Sequence, residues 1–428
     1  MHLSFPASIA TDRLLLRPPG PTDAGALTAA VAESRARLDP WMPWSNYYDD
    51  PIAAAVYIAT AREQWAHGHE LSFLIFDRAS GELLGAIGLH DIHWDRRSFA
   101  TGYWIRTSAE GQGYVREALR AMAKFVFAQR GGNRLWLTCD SRNDRSRHVA
   151  ESTGMQFEAH FRNDARATDG TLRDTFVFGM LASDYERLLP TWPAESFNLR
   201  PGQTTISPPS TSRYDDEEEM LSDPVLTAHY PNPRAIESPR LRLRVVDLND
   251  APALFALVER SRPDFEPWLP WSRGVRTVAD AEALCQKRLA QWARHGNTEL
   301  FAFDRETGAL VGSGMILALR PEIPSVEIGW WLDSAQTGKG FATEIGGALL
   351  RFTMDVWRVN RAEVWCQAEN RASRSVAARI GFIEEGFVRA DYPDAAGTPA
   401  TWAISSVIPT DYTRLAPNLP AIHVETDG

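Results

Sequence analysis

The order of apolar and polar residues in the first 190 residues predicts short strands that alternate with helices. Several segments alternate with period two, which sends successive side chains to opposite faces of a strand. Thr22 and Asp23 precede an Ala-rich stretch as helix-start residues, and Ala79-Ser80-Gly81 predicts a hairpin turn. The predicted strands are Leu14–Arg17, Leu71–Arg78, Leu83–Ile92, Ser98–Ile105 and Arg134–Asp140, with two more near Met155 and Asp174. The predicted helices follow Asp23, run from Asp50 to about His67 and from about Gln112 to Gln129, and begin near Asn143. This order is typical of an α/β fold with a central mixed β-sheet flanked by helices.

The same pattern returns 227 positions further along the chain. The unusual segment PWMPWS, residues 40–45, reappears as PWLPWS at residues 267–272. Residues 11–188, laid on residues 238–415 without a gap, give roughly 50 identical pairs, far more than unrelated segments would give. The chain is therefore a tandem duplication of one α/β domain. We expect the repeated Trp segment to pack helices against the sheet, although its tryptophans could also grip a substrate.

The duplication predicts three segments along the chain. We expect a first domain at residues 1–190, a linker at 191–237 and a second domain at 238–428. The linker contains seven prolines and the acidic block DDEEE at residues 215–219. A stretch of this length without apolar periodicity favours a solvated spacer. The two domains could pair as an intramolecular pseudo-dimer.

Charge and composition narrow the class of protein. The chain of 428 residues has a formal net charge of -10 and a pI near 5.6, which argues against a nucleic-acid partner. The sequence has neither a signal-peptide pattern nor a run of 18 apolar residues, so we expect no membrane partner and a cytoplasmic location. The three cysteines lack disulfide or zinc spacing. The group His90, Asp91, His93 and Asp95 is more typical of a hairpin loop than of a metal site, so we expect no metal.

A strand followed by two glycines is the segment that most clearly indicates a ligand. In VEIGWWLDSAQTGKGFATE, residues 326–344, alternation predicts a strand, and Gly338 and Gly340 precede a helix. Glycines let the backbone approach a ligand closely. The first free amides and the helix dipole favour an anion such as pyrophosphate. Alone, two such glycines could equally form a tight turn that binds nothing.

Taken with the order of strands and helices, this segment resembles the GNAT superfamily of acetyltransferases. The R-L-x-L-R opening at residues 240–244, PWLPW and the pair Asn370 and Ser373 are similar to its RimJ/RimL-like branch. The resemblance implies that acetyl-CoA is the co-substrate and lies between two splayed strands, with its pyrophosphate at the glycines. An amine acceptor would attack the thioester directly. The cofactor-binding residues that the resemblance implies are Trp330, Leu332, Gly338, Lys339, Gly340, Phe341, Ala342, Thr343 and Asn370.

The two copies differ where the chemistry would take place. The last position of the superfamily's pyrophosphate motif is small, and it is Ala342 in the second copy but Val115 in the first. Glu327 of the second copy matches Ala100 of the first. Because an amine is protonated at neutral pH, a base must remove its proton, which is worth about 10²–10⁴ in rate. We therefore expect the second copy to be catalytic and the first to be a degenerate copy, which could still hold an acceptor or bind acetyl-CoA without turnover.

Two residues carry the predicted catalytic roles. Glu327 would act as the general base, and the resemblance implies that Ser373 protonates the departing thiolate. In the alternative interpretation Glu327 is a half-exposed strand residue, and Asn370 and Ser373 are ordinary helix caps. The predicted function is N-acetyl transfer to a primary amine, either a protein N-terminus or a small amine. The alternative function is a non-catalytic acyl-CoA-binding module that regulates a partner.

Overall fold

The computed structural model describes residues 3–47, 50–194, 196–206, 230–294, 297–320 and 322–426. The chain divides into two compact units, the first built mainly from residues 1–211 and the second mainly from residues 212–428. The acidic block at 215–219 lies outside the described residues.

The first unit contains a mixed sheet with helices on both faces. Its strands are β1 (Leu3–Ala10), β2 (Leu14–Arg17), β3 (Leu71–Asp77), β4 (Leu83–His93), β5 (Ser98–Ile105), β6 (Arg134–Asp140), β7 (Gln156–Arg166), β8 (Leu172–Leu181) and β9 (Asn198–Ile206). Its helices are α1 (Ala24–Leu38), α2 (Pro51–His67), α3 (Tyr114–Lys124), α4 (Asp144–Thr153) and α5 (Ala182–Leu188). The strand order is β9-β1-β2-β3-β4-β5-β6-β8-β7, in which β5 and β6 are parallel and the other neighbours antiparallel.

The second unit repeats this architecture. Its strands are β10 (Pro233–Glu237), β11 (Leu241–Val245), β12 (Thr298–Asp304), β13 (Leu310–Arg320), β14 (Ser325–Leu332), β15 (Arg361–Gln367), β16 (Ile383–Pro393), β17 (Pro399–Val407) and β18 (His423–Thr426). Its helices are α6 (Ala251–Phe265), α7 (Val278–Ala293), α8 (Phe341–Asp355), α9 (Arg371–Ile380) and α10 (Pro409–Leu415). The order is β18-β10-β11-β12-β13-β14-β15-β17-β16, again with one parallel pair, β14 and β15. The predicted fold class is confirmed in both units.

The structure differs from the sequence prediction at a few elements. The helix predicted from about Gln112 begins at Tyr114, and its last predicted turn, Phe125–Gln129, is π-helical. The stretch predicted as a linker supplies a strand at each end, since β9 pairs with β1 and β10 pairs with β11. Pro201 and Gly202 inside β9 concealed its strand pattern, because both residues are unfavourable in strand interiors.

The helices cover the two faces of each sheet in pairs. In the first unit Phe73 and Ile75 of β3 belong to the core that includes Met122 of α3, whereas Leu74 belongs to the core that includes Val31 of α1. The same division holds in the second unit, where α8 and α9 lie on one face and α6 and α7 on the other. The alternation of side chains along the strands thus corresponds to two separate apolar cores, one on each face of the sheet.

Candidate active site

Two neighbouring strands separate at the centre of the second unit. β14 and β15 pair in parallel from Ser325 to Glu327, where Glu327 lies opposite Glu363. β14 continues to Leu332 and β15 to Gln367, but their pairing does not, and β15 bonds to β17 along its other edge. A gap therefore opens in the sheet immediately beyond Glu327.

A cleft of about 1130 Å³ occupies the region beyond this gap. Its walls come from β14, the glycine segment, the start of α9 and the PWLPWS segment. The predicted site residues that line it are Trp330, Leu332, Gly338, Gly340, Ala342, Thr343, Asn370 and Ser373. Three other predicted residues, Glu327, Lys339 and Phe341, occupy different positions, described below.

Gly338 and Gly340 hold the backbone in the left-handed conformation, with φ of 78° and 82°. Residues other than glycine rarely adopt it. Gly340 begins α8 without a side-chain cap, so the first-turn amides of Phe341, Ala342 and Thr343 have no acceptor within the helix. The helix dipole adds partial positive charge at the same end. This corner can therefore donate several hydrogen bonds to an anion.

Arg240 connects this corner to the sheet, a contact that the sequence analysis did not predict. Its Nε donates to Glu344 Oε2 at 2.7 Å, and its Nη1 donates to the Lys339 carbonyl at 2.9 Å. The pair Arg13 and Glu117 makes the same contact at 2.7 Å in the first unit. Both partners recur at the constant offset of 227, which is the signal that could have revealed the pair.

Phe341 and Lys339 contribute less than predicted. The Phe341 side chain is turned into the core and is only 6% exposed, with the Arg240 guanidinium 4.6 Å from its ring centre. Only the Phe341 backbone amide is then available to a ligand. Lys339 is exposed, and its Nζ donates to Gln336 Oε1 at 2.8 Å.

Glu327 lies at the inner end of the gap and not in the cleft wall. It is about 10 Å along β14 from Trp330, at ~3.3 Å per residue. It shares a strand face with Gly329 and Trp331, and Trp331 packs in the core on the α6 and α7 side. Its charge also acts on Cys366 of β15. Glu327 is thus at the junction of the splayed strands and the face covered by α6 and α7.

Asn370 and Ser373 begin α9 beside the cleft. Asn370 Oδ1 accepts a hydrogen bond from the Ser373 amide at 3.0 Å, as a helix cap does. Burial raises the pKa of the neighbouring Cys366 thiol to about 11, an effect that the Ser373 hydroxyl opposes. Capping therefore accounts for the Asn370 side chain, while the Ser373 hydroxyl lies between the cleft and β15.

The PWLPWS segment has two different surroundings. Pro267, Trp268 and Leu269 line the cleft. Trp271 packs in the core, with its ring centre 5.7 Å from that of Trp331. The packing role predicted for the segment thus applies to its second tryptophan, and the first is placed where it can contact a ligand.

The first unit has a cleft of about 780 Å³ at the matching glycines. Gly111 and Gly113 have φ of 72° and 77°, and Val115 and Arg116 line the cleft with them. Between this cleft and the strands, the Tyr103 hydroxyl donates to the Ser146 carbonyl at 3.2 Å and so bridges β5 to α4. A cleft is therefore present at this corner with Val115 in its wall, so the branched side chain does not fill it.

Neither a metal cluster nor a membrane-spanning helix occurs in the described part of the chain. There, no group of three or more His, Cys, Asp or Glu side chains could hold a metal ion. In the predicted loop group, His93 Nε2 lies 3.0 Å from Asp91 Oδ1. Among the described helices, none is both long and apolar enough to cross a membrane.

Comparison with known proteins identifies the family. The model of the acetyltransferase (GNAT) domain matches residues 13–156 and again residues 240–383. The ribosomal-protein-serine acetyltransferase of Escherichia coli is 27% identical over 152 residues, which are 36% of this chain and 84% of that protein. The [ribosomal protein uS5]-alanine N-acetyltransferase of Escherichia coli is 27% identical over 183 residues, 41% of this chain and 92% of that protein.

Among solved structures, RimJ of Mycobacterium smegmatis in complex with CoA-disulfide aligns with a TM-score of 0.41 and 25% identity, over 45% of this chain and 97% of that one. The two family matches together span well over half of the chain and coincide with the two copies of the duplication. The protein therefore belongs to the GNAT family of acetyltransferases and carries two such domains in tandem.

Proposed function

We propose that the second unit transfers an acetyl group from acetyl-CoA directly to a primary amine, with Glu327 as the general base. The observation that carries the proposal is the separation of β14 from β15 immediately after Glu327. The gap opens into a cleft that ends at an anion-binding helix start. A carboxylate at the inner end of the gap and an anion site at the far end of the adjoining cleft suit an extended substrate that carries a phosphate group and a reactive carbonyl.

In this proposal the pyrophosphate of acetyl-CoA accepts hydrogen bonds from the first-turn amides of α8, and its pantetheine arm lies along β14 at Trp330 and Leu332. The positive φ of Gly338 and Gly340 supports this assignment, because no side chain stands between the ligand and the backbone there. Asn370 and Ser373 line the same cleft beside the arm.

Three events make up the proposed transfer. Glu327 takes a proton from the bound ammonium group, and the neutral amine attacks the thioester carbonyl. The carbon–nitrogen bond forms and the carbon–sulfur bond breaks. Ser373 donates a proton to the departing sulfur, so CoA leaves as the thiol. The attacking nitrogen then loses its second proton, which restores the Ser373 hydroxyl. General-base help of this kind is worth about 10²–10⁴ in rate.

The acceptor is proposed from the relatives. The two Escherichia coli proteins are named for a serine and an alanine of ribosomal proteins, so a protein N-terminus is the first acceptor class, and a small amine is the second. The same names favour a cytoplasmic location for the reaction.

The test is Glu327→Gln in the full chain. The substrates are acetyl-CoA with peptides that begin with Ser or Ala and with a panel of small amines, and the measurements are release of the CoA thiol and product mass. We expect kcat for the peptides to fall by about 10²–10⁴ and the affinity for CoA to stay unchanged, because Glu327 is remote from the glycine corner.

Glu306→Gln is the matched control, since Glu306 lies in an exposed turn between β12 and β13. Wild-type turnover in Glu327→Gln would contradict the assignment. Binding of CoA without thiol release for any amine of the panel would favour the acyl-CoA-binding module instead.

A further inference from the structure

A second pocket, of about 410 Å³, lies in the first unit on the face covered by α1 and α2. Its apolar walls include Met42, Trp44 and Trp104, and its polar groups include Glu70 and His90. The rings of Trp44 and Trp104 meet edge to face, with centres 5.9 Å apart. Aromatic walls with a carboxylate at the rim are suited to an ammonium group on an apolar body.

His90 belongs to the cross-strand residue pair of the first unit that matches the pair containing Glu327 in the second unit. On β4 and β5, His90 is paired with Ala100. On β13 and β14, the matching pair is Leu317 with Glu327. Residues paired across antiparallel strands share a face. Both units therefore have a titratable side chain in this pair. It is His90 on β4 in the first unit and Glu327 on β14, which matches β5, in the second.

The imidazole of His90 extends over β5 towards the separating strands. A Cβ built on Gly102 would lie 3.3 Å from His90 Nε2. Gly102 is two residues beyond Ala100, at which the pairing of β5 with β6 ends. His90 is thus next to the gap in the first unit, as Glu327 is in the second.

Bulkier residues stand at two of the matching positions in the second unit. Gly88 is matched by Met315, whose Cε lies 3.1 Å from a Cβ built on Gly329. Leu74 is matched by Phe301, which is 1% exposed. The two units therefore present different acceptor surfaces.

His90 is in the protonation state that a proton acceptor needs. Burial lowers its pKa below the usual 6.5, and the charges of Glu70 and Asp91 oppose this without reversing it. The imidazole is nevertheless exposed at the pocket. The lowered pKa favours the uncharged imidazole at neutral pH, and the ring is accessible to a ligand from the pocket.

The pocket adjoins the route that a thioester would take. Met42, Gly102 and Tyr103 line both this pocket and a smaller cleft of about 170 Å³ between β5 and β6. Asn143 and Ser146 line the smaller cleft, and the next residues, Asp144 and Arg145, line the cleft at the glycines.

We propose that the first unit contains a second acetyl-transfer site, which takes a small primary amine with an aromatic body and uses His90 as its proton acceptor. His90 takes one proton from the bound ammonium, the neutral nitrogen attacks the thioester carbonyl, and the carbon–sulfur bond breaks. The second proton passes from the nitrogen to the sulfur, which leaves as the CoA thiol. The first copy then lacks the carboxylate but is not degenerate. This inference takes acetyl transfer from the family and does not depend on the role of Glu327.

The experiment compares wild type, Glu327→Gln, His90→Gln and the double variant in the full chain, with acetyl-CoA and phenethylamine. Glu327→Gln removes the proposed base of the second unit, and in that background we expect the added His90→Gln to lower the remaining kcat for phenethylamine by about 10²-fold or more. KM should change little, because the aromatic walls and Glu70 remain. Phenethyl alcohol, which lacks the ammonium, should bind less tightly by calorimetry. His69→Gln is the matched control, since His69 is exposed outside the pocket.

Leu74→Phe, which introduces the residue found at the matching place in the second unit, should abolish phenethylamine turnover in the Glu327→Gln background by filling the pocket. Equal rates in Glu327→Gln and the double variant, or complete loss in Glu327→Gln alone, would overturn the proposal. If Glu327→Gln leaves peptide acetylation unchanged, Glu327 is not the general base of the second unit. The role of His90 is then decided by comparing the phenethylamine turnover of His90→Gln with that of the wild type.

Discussion

At the scale of single residues, the backbone angle of Gly340 decides how closely a phosphate can approach the second unit. Its φ of 82° allows the chain to turn from β14 into α8 with the first amides exposed. An L side chain in this conformation costs about 1–3 kcal/mol, and it would also stand beside the proposed phosphate.

We expect Gly340→Val to raise the Kd for CoA at least tenfold, which corresponds to ~1.4 kcal/mol. Calorimetric titration measures this change. Gly397→Val is the control, because Gly397 has a φ of 83° in the turn between β16 and β17, with open space around its Cβ. It should destabilise the fold to a similar degree and leave the Kd unchanged. An equal loss of affinity in both variants would exclude a local role for Gly340.

At the scale of elements, Asp333 fixes the end of β14 relative to α6. Its carboxylate, which is 1% exposed, accepts hydrogen bonds from Arg260 Nε at 2.9 Å and from Ser261 Oγ at 3.2 Å. The Ala335 amide donates to the same group at 3.1 Å. Burial alone would raise the pKa of Asp333, but these hydrogen bonds and the Arg260 charge outweigh it and hold the pKa below 3.8. The short segment that leads to the glycine corner is therefore anchored by one ionised group.

We expect Asp333→Asn to lower the free energy of unfolding by about 2 kcal/mol at pH 7. The loss is limited because its partner, the Arg260 side chain, is half exposed to solvent. Because the folded pKa is depressed, the stabilisation is present above the unfolded pKa and is lost as pH falls through the folded one. The difference in unfolding free energy between the variant and the wild type should thus shrink below about pH 4. Urea unfolding at pH 7 and pH 3 measures it, with Glu282→Gln on the exposed face of α7 as control. The same difference at both pH values would refute this account.

At the scale of the whole molecule, duplication has produced two helix starts with the same backbone geometry. Each unit has a glycine pair with positive φ and an Arg–Glu pair that supports it. The first-unit cleft is the smaller, about 780 Å³ against about 1130 Å³, and has Val115 where the second has Ala342, so we expect its affinity for CoA to be the lower of the two.

We therefore expect two CoA-binding events of unequal affinity in a calorimetric titration of the full chain. Gly340→Val should weaken the tighter event and Gly113→Val the weaker one. Each substitution serves as the control for the other, since both strain a left-handed glycine at matching positions. A single event that Gly113→Val leaves unaltered would show that the first unit does not bind CoA.

The sequence by itself determined the duplication, the fold class and part of the cleft wall. A constant offset of 227 needs only residue identities, and alternation and glycine spacing are local properties of the chain. The glycines stand out by their local spacing, whereas Trp330 and Asn370 were assigned from the resemblance to the GNAT superfamily, and in the structure all of them line one cleft.

Only the tertiary structure decided which side chains face the cleft and which groups meet from distant parts of the chain. Phe341 sits in the core because a helix start presents one face inward. Arg240 and Glu344 are 104 positions apart, and His90 reaches the gap only because β4 and β5 pair in one register. Such contacts depend on packing between elements, and a linear sequence does not specify the distance between residues on separate strands.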